Sequence, residues 1–175
     1  GEWDTTQGQF VQLTAMDIMG KLMNPIYSVD GLLQYHKYAR FGVEIIVQIN
    51  SSPFQQGGLI AYMVPGSNAL MSTNSAMTLP YGLLNCNINN MVRLKTPFIY
   101  TRGMYDLKDP AYTMMYLILA VWSPLQVRTG RTPAVNYTIS GRLVDLELHG
   151  ILPLGVNNPS KVQQNTQMNV VVLPG

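Results

Sequence analysis

The sequence predicts an all-β protein, an antiparallel sandwich of two sheets, and two strand patterns carry that prediction. Between 41 and 49 every second residue is apolar, which is the period of a strand with one buried face. Between 59 and 64 the residues are apolar on both faces, which predicts a strand covered on both sides. Pro53 and the pair Gly57-Gly58 break the chain between them, because proline cannot donate to a ladder and glycine tolerates positive φ.

The residues before this unit predict a strand, a short helix and a loop. Apolar and polar residues alternate over 9–15, which predicts the strand. Asp17 is a candidate N-cap for a helix that continues to Met23 and ends before Pro25. The stretch 28–34 contains an Asp-Gly pair and predicts a loop with at most one helical turn.

The middle of the chain predicts a surface loop followed by short elements. Small polar residues fill 67–75, which indicates the loop. A helical turn is predicted within 78–84, and a short strand near 85–88 follows it. The next strand is predicted over 91–100, and Pro97 within it indicates an edge or a strand end.

The second half begins with a charged loop over 101–110 and the longest apolar run of the chain, 112–122. Aromatic and β-branched residues favour a buried strand for this run, with Ser123-Pro124 at its end. A basic loop follows over 126–133.

One long bent strand is predicted over 135–149. Its apolar phase slips by one residue between Gly141 and Val144, which is typical of a β-bulge. The tail beyond it is polar, but the apolar stretch from Met168 to Leu173 is a candidate strand for docking on a neighbouring molecule.

These patterns give about seven strands joined by loops of unequal length, whereas a jelly roll has eight. The missing strand would come first in the chain. The sequence therefore predicts an eight-stranded antiparallel jelly-roll sandwich with one or two short helices, whose first strand and N-terminal arm are absent. The predicted division is a jelly-roll domain over 1–153, incomplete at its N-terminus, and an extended C-terminal arm over 154–175.

Charge is scarce in this chain. Charged residues make up 11% of the sequence, against an average near 25%. The shortage predicts a surface largely covered by partners, and the alternative is a monomer coated with Asn, Gln, Ser and Thr. A net charge of +2 is too small to indicate a nucleic-acid binder by itself, and no apolar run approaches the roughly 18 residues of a membrane span. Cys86 is the single cysteine, so no internal disulfide can form.

Catalytic, metal and cofactor chemistry find no support in the sequence. His36 and His149 are far apart in the chain and have no neighbouring ligands at metal-site spacing. Ser140, Asp145 and His149 lie on one predicted strand and cannot converge as a hydrolase triad. The prediction is a non-enzymatic protein with no cofactor and no metal.

An RNA-contact surface is a weaker alternative. Alternating basic residues on a half-buried strand are more often its solvent-facing side. The residues that would stack on and contact RNA are Tyr81, Arg93, Lys95, Tyr100, Arg102 and Tyr105.

A family resemblance is most specific around the first strand pair. An asparagine closes the first strand, and a phenylalanine, a glycine, the apolar strand and a terminal proline follow it at set spacings. The sequence here, QINSSPFQQGGLIAYMVPG, resembles the jelly-roll core of a picornavirus capsid protein, and 89–103, 116–125 and 142–154 resemble later strands of the same family. The residues that carry this family signature are Asn50, Phe54, Gly57, Pro65, Pro97 and Pro124.

The resemblance is to the parechovirus-like branch and to the precursor-type subunit at the second coat protein position. It implies a structural subunit of a non-enveloped icosahedral capsid of pseudo-T=3 symmetry, released from a polyprotein in the host cytoplasm. The implied partners are other capsid proteins, symmetry-related copies, genomic RNA at the interior and a host receptor.

A soluble, lectin-like jelly-roll binding module is the alternative function. It would need an aromatic platform or a calcium-binding carboxylate cluster, and the nine acidic residues form no DxD-type cluster. A lectin domain should be monodisperse on its own, whereas a shell subunit should not.

Overall fold

The computed structural model describes residues 1–22, 33, 35–66, 72–108, 115–130, 132–152 and 171–173. This part of the chain contains ten strands and two short helices. In chain order they are β1 Glu2–Asp4, β2 Gln12–Asp17, α1 Ile18–Leu22, β3 His36–Asn50, β4 Gln55–Pro65, α2 Thr73–Ala76, β5 Tyr81–Asn85, β6 Met91–Thr96, β7 Tyr105–Asp106, β8 Met115–Val127, β9 Ala134–Ile151 and β10 Val171–Leu173.

The strands form two antiparallel sheets. The six-stranded sheet has the order β1-β9-β3-β6, with β10 added on β9 and β7 on β3, and the four-stranded sheet has the order β2-β8-β4-β5. Neighbours in each sheet are mostly distant in sequence, as in a jelly roll, where strands alternate between two sheets. The predicted all-β jelly-roll sandwich is confirmed.

The main core lies between the inner faces of the two sheets. Ile45 and Val47 on β3 are fully buried, whereas Gln48 between Val47 and Ile49 is exposed, so the alternation in the sequence is confirmed. The core also contains Trp3, Ile18, Leu22, Leu59, Leu117 and Leu119, all at 0% exposure. Residues 59–64 are buried on both faces, as their unbroken apolar run predicts.

The prediction that the first strand is absent was wrong. β1 pairs with β9 in the register Glu2↔Asn136, Trp3↔Val135 and Asp4↔Ala134. A strand of three residues is too short to display a period of two, and its partner lies some 130 positions further along the chain. Trp3, fully buried against the core, is the only strong sign of this strand in the sequence.

The predicted N-terminal strand and short helix are both present within the described residues. β2 begins later than predicted and ends at Asp17, and α1 follows directly. The predicted loop over 28–34 lies outside the described residues except for Leu33, and so does Met23.

The short elements after 72 were predicted in the wrong places. The helical turn is α2, Thr73–Ala76, before the predicted position. The strand is β5, Tyr81–Asn85, and residues 86–88 form a turn instead. Most of the predicted loop over 67–75 lies outside the described residues.

Two prolines show how position in a sheet decides their effect. β6 ends at Thr96, so Pro97 marks a strand end as predicted. Pro124 does not end β8, which continues to Val127. β2 pairs only with 116–120 of β8, so β8 has a free edge at Pro124, where proline is tolerated.

The long last strand is confirmed, but its bulge lies further along than predicted. The register passes from Gly42↔Val144 to Arg40↔Glu147, so Asp145 and Leu146 face Phe41 alone. Asp145 has a φ of 54°, a left-handed conformation that aspartate tolerates better than most residues.

Gly141 serves packing instead. A Cβ at this position would lie 2.8 Å from the Cδ1 atom of Ile45 on the opposite strand, so the glycine leaves room for the Ile45 side chain.

Candidate interaction surfaces

The outer face of the six-stranded sheet carries an ion-pair network centred on Glu44. The register places Glu44 opposite Lys95 on β6 and opposite Arg142 on β9. Its side chain is only 6% exposed, because Arg142 hydrogen bonds to it from one side and Arg93 Nη1 lies 3.4 Å from its Oε1 on the other. The hydrogen bond from Arg142, together with the nearby positive charges, lowers the pKa of Glu44.

Two further ion pairs extend this network along the sheet. Lys95 Nζ lies 3.8 Å from Asp145 Oδ2, and Arg40 Nη1 lies 3.4 Å from Glu147 Oε1. All four side chains are about half exposed or more, so each pair contributes little to stability. Together they give this face a charged, solvated surface on which positive and negative side chains are paired.

The residues that the sequence offered for RNA contact do not form one surface. Arg93 and Lys95 belong to the ion-pair network, as expected for a solvent-facing side. Tyr105 is 4% exposed, with ring centroids 4.9 Å from Phe98 and 5.1 Å from Tyr100. Burial, with a contribution from Tyr100, raises the pKa of Tyr105 to about 12. Tyr81 lies on the other sheet and Arg102 lies in the loop after β6.

The outer face of the four-stranded sheet is apolar. Residues of α2 and the turn after it, Ala76, Met77 and Leu79, pack against it. The cluster they cover consists of Ile60, Tyr62, Val64, Ile118 and Ala120, all at most 6% exposed. This sheet therefore has an apolar core on both sides.

An aromatic pair next to this cluster joins Phe10, in the turn before β2, to Trp122 on β8. Phe10 and Trp122 meet edge to face with ring centroids 6.4 Å apart, and Phe10 is still 46% exposed. The backbone of Phe10 has a φ of 65° and donates a hydrogen bond of 2.7 Å to the carbonyl of Val121. A bulky residue rarely adopts a positive φ, so a local constraint presents this ring to the outside.

Gln55 ties together the loops at one end of the sandwich. Its side chain is 5% exposed and donates to the carbonyls of Thr132 at 3.1 Å and Ala134 at 2.9 Å, while Oε1 accepts from the Ser52 amide at 2.8 Å. No local pattern indicates this role, because Gln55 begins a strand beside an identical residue.

An open groove of about 350 Å³ lies beside these loops. It is lined by Pro53, Phe54, Gln56, Gln126, Val127 and Arg128.

The signature residues are spread over the fold, and only Gly57 and Pro124 come together. Gly57 has a φ of 149°, and a Cβ there would lie 2.7 Å from Cη2 of Trp3 and 3.0 Å from the Pro124 carbonyl oxygen. A glycine is needed here because a side chain on β4 would collide with Trp3 of the six-stranded sheet. Phe54 lines the groove, and Asn50 and Pro65 are the exposed last residues of β3 and β4.

Pro97 packs elsewhere, against β3. Its Cα would lie 3.3 Å from a Cβ placed at Gly42.

The described residues were compared with the metal and triad chemistry considered from the sequence. They contain no group of three or more His, Cys, Asp or Glu side chains that could hold a metal ion. Pairing of β3 with β9 brings His36 near His149, opposite Ile151 and Tyr38 respectively, a proximity that their sequence separation conceals. Ser140, Asp145 and His149 all lie on β9, as predicted. None of the helices described has the length and apolar character needed to span a membrane.

Solved structures of insect-virus particles share this fold. A chain of the Triatoma virus structure superposes with a TM-score of 0.76 at 20% identity, covering 86% of this chain and 63% of that chain. A chain of sacbrood virus of honeybee, in its expansion state II, gives a TM-score of 0.77 at 18% identity, covering 86% and 92%. At these identities the similarity shows the fold alone.

Sequence comparison gives the family. This chain is 49% identical over 173 residues, or 98% of its length, to two genome polyproteins. They come from simian hepatitis A virus genotype V (isolate AGM-27) and human hepatitis A virus genotype IIIA (isolate GA76). The chain spans only 8% of the first relative and 21% of the second. The family model of the picornavirus capsid protein matches residues 1–127, which include strands from both sheets. This chain therefore belongs to the picornavirus capsid protein family and is a structural subunit of a viral capsid.

Proposed function

We propose that the chain assembles with other jelly-roll coat proteins and with copies of itself into an icosahedral shell of pseudo-T=3 symmetry around a positive-strand RNA genome. The family match over 1–127, with both sheets of the sandwich present, carries this proposal. The charged fraction of 11% supports it, because a subunit surface covered by partners needs little charge.

The proposed origin is cleavage from a polyprotein in the host cytoplasm. The relatives at 49% identity are genome polyproteins, of which the chain matches a small part. The proposed place is the second coat protein position, in its precursor form. The parechovirus-like assignment stays a prediction, and the relatives named above come from hepatitis A virus instead.

The proposed domain division is a jelly-roll domain over 1–153 and an arm over 154–175. Each subunit contact would be modest, because the loss of rigid-body freedom offsets much of the burial. Symmetry repeats each contact many times, so the shell gains stability by avidity. The exposed ring of Phe10 beside Trp122 is the surface best suited to such a contact, since aromatic residues are enriched in interfaces.

The proposed role is a non-enzymatic one.

Genomic RNA would meet the arms of the subunits rather than the strand with Arg93 and Lys95, because Glu44 and Asp145 already pair with those two side chains. A host receptor is a further proposed partner.

Sedimentation of the chain co-expressed with the neighbouring segments of its polyprotein tests this function. Fast-sedimenting symmetric particles are the expected result, and Phe10→Ala should reduce their yield. Val11→Ala in the same segment, at 42% exposure and outside the aromatic pair, is the matched control. A discrete monomer that is indifferent to its neighbours would contradict the shell role and favour a ligand-binding sandwich.

A further inference from the structure

The open groove and the aromatic pair lie on the same side of the four-stranded sheet. The side chain of Gln55 turns inward, because it donates to a carbonyl of β9 in the other sheet, so the next residue, Gln56, faces outward. Gln56 pairs directly with Gln126 on β8, and both line the groove. Two positions further along β4, a Cβ at Gly58 would lie 3.7 Å from Cδ1 of Trp122. The groove therefore continues along the sheet to the aromatic pair.

The walls of the groove are held in place by hydrogen bonds within the chain. Phe54 and Arg128 line it from the two strands, and the Arg128 amide donates a hydrogen bond of 3.3 Å to the Phe54 carbonyl. Gln55 joins the backbone of Ser52 to that of Thr132 through its side-chain amide. A preformed site loses little conformational freedom when a partner binds, which favours binding. The groove is therefore preorganised as a docking surface.

Arg128 gives the groove its charge. It is exposed, and it is the one charged side chain among the six described residues that line the groove. The four ion pairs among the described residues use other basic side chains. A guanidinium binds a carboxylate through two parallel hydrogen bonds. The ring of Phe54, which lines the same groove and is 42% exposed, offers an apolar contact beside it. This chemistry fits an acidic peptide segment.

A second copy of this chain has few carboxylates to offer such a groove. Five of the described carboxylates are already engaged within the chain by ion pairs or backbone amides. They are Asp4, Glu44, Asp106, Asp145 and Glu147. The sequence from 153 to 175 contains no Asp or Glu, so the tail carries no acidic side chain either. The acidic segment is therefore expected from a different protein.

RNA fits this groove less well than a protein segment does. Grooves that bind single-stranded RNA carry several basic side chains that follow the phosphate backbone, together with rings on which bases stack. The described lining of this groove has one arginine, and the net charge of the chain is only +2. Protein interfaces, in contrast, are enriched in aromatic residues and arginine. The combination of Phe54, Trp122 and Arg128 on one side of the sheet favours a protein partner.

We infer that this groove is the docking site for an extended acidic segment of a different, neighbouring coat protein. A carboxylate of that segment binds Arg128, and its apolar side chains contact Phe54 and the aromatic pair. Trp122 and Arg128 are six residues apart, or up to about 20 Å of extended chain, so a segment of about six residues covers the surface. This inference rests on the proposed shell function and adds to it the class of partner and the contact that holds it.

Photo-crosslinking identifies the partner. A benzophenone side chain replaces the exposed Gln126, and the chain is co-expressed with the neighbouring segments of its polyprotein, irradiated and digested for mass spectrometry. The expected adduct joins this chain to a peptide of a different coat protein that contains Asp or Glu. The same probe at Gln48, which is exposed on the six-stranded sheet, is the matched control and should not yield that peptide. Adducts of the Gln126 probe with a second copy or with RNA, or no adduct at all, would overturn the inference.

Charge reversal tests the role of Arg128. Arg128→Glu should lower the yield of particles by about tenfold or more, because it brings two negative charges together, whereas Arg128→Lys keeps the charge and should lose less. Arg102→Glu, at another exposed arginine, is the matched control and should change the yield by about twofold or less. Thermal melting checks that the variants fold. Exchange of the crosslinked carboxylate for lysine should restore assembly with Arg128→Glu. Equal yields for Arg128→Glu and Arg102→Glu would overturn the docking.

A failure of the shell function can be told apart from a failure of the docking. Absence of particles from the parent chain would contradict the shell function. The crosslinking is then repeated in solution with the purified neighbouring coat proteins. The adduct at Gln126 decides the docking there by its presence or absence.

Discussion

The outer faces of the two sheets differ in chemistry although both sheets share one backbone plan. The six-stranded sheet turns Glu44, Arg93 and Arg142 outward in an ion-pair network. The four-stranded sheet turns Ile60, Tyr62 and Ile118 outward, and 76–79 cover them.

The difference shows that the molecule is not a symmetrical sandwich. One sheet has a single apolar face, whereas the other is the middle layer of three. Of the two outer faces, the one that solvent reaches carries the charged side chains. Contacts with partner subunits that rely on apolar burial are expected beside the four-stranded sheet, near Phe10 and Trp122.

The largest expected effect comes from equivalent substitutions on the two outer faces. Ile118→Ala removes a side chain with 0% exposure, and it should lower the free energy of unfolding by about 2–5 kcal/mol. Ile46→Ala on the outer face of the six-stranded sheet is the matched control and should cost about 1 kcal/mol or less. Urea denaturation followed by circular dichroism measures both. Equal losses at the two positions would break the comparison.

The next effect concerns the point where the sheets meet. Gly57→Ala places a Cβ against Trp3 of the six-stranded sheet and strains a φ of 149°, so it should cost about 1–3 kcal/mol. Gly103→Ala, where nothing lies within 4 Å of the added Cβ, should change stability by about 0.5 kcal/mol or less. The same denaturation experiment measures both variants. An unchanged free energy of unfolding for Gly57→Ala would show that Gly57 and Trp3 are not tightly packed.

A smaller effect is expected from acid, and it belongs to the charged face alone. The folded protein lowers the pKa of Glu44, so its contribution to stability is present above the ordinary value of 4.5 and is lost as the pH falls through the lowered pKa. Glu44→Gln removes this pH-dependent contribution to stability. The melting temperature of the variant should therefore fall less steeply below pH 4.5 than that of the parent. Glu2→Gln is the control for loss of a carboxylate elsewhere. Parallel curves for Glu44→Gln and the parent would exclude the network as a source of acid sensitivity.

The smallest effect is expected at the margin of the charged face. Glu147→Gln breaks the pair with Arg40, whose side chains are 52% and 49% exposed, and should cost about 0–1 kcal/mol. The cost should decrease further in high salt, because exposed pairs are screened. A loss above about 2 kcal/mol would mean that this face is more buried than its exposure indicates.

Much of this fold could be predicted from local pattern. Apolar and polar residues alternate over enough of β3 to show which face is buried. The unbroken apolar run of β4 indicates that both of its faces are covered. Short elements could not be predicted in the same way. Glu2–Asp4 is too brief to carry a period, and the turn at 86–88 was mistaken for a strand.

The candidate surfaces were predicted less well than the fold. The sequence indicated that Arg93 and Lys95 face solvent, but their partners Glu44 and Asp145 lie on other strands. Tyr105 was a candidate for stacking on RNA, whereas it is buried among Phe41, Phe98 and Tyr100. Gln55 gave no signal at all, since its role depends on carbonyls at 132 and 134.

The sequence by itself determined the class of fold, the buried face of β3, the two covered faces of β4 and the scarcity of charge. These properties follow from residue type and a period of two, which neighbouring residues express without help from the rest of the chain. The tertiary structure alone decided that Trp3 pairs with β9, that the bulge falls at Asp145 and that Val171–Leu173 joins the same edge. Pairing partners, register and edges are decided by contacts between distant segments, whose energies no local pattern contains.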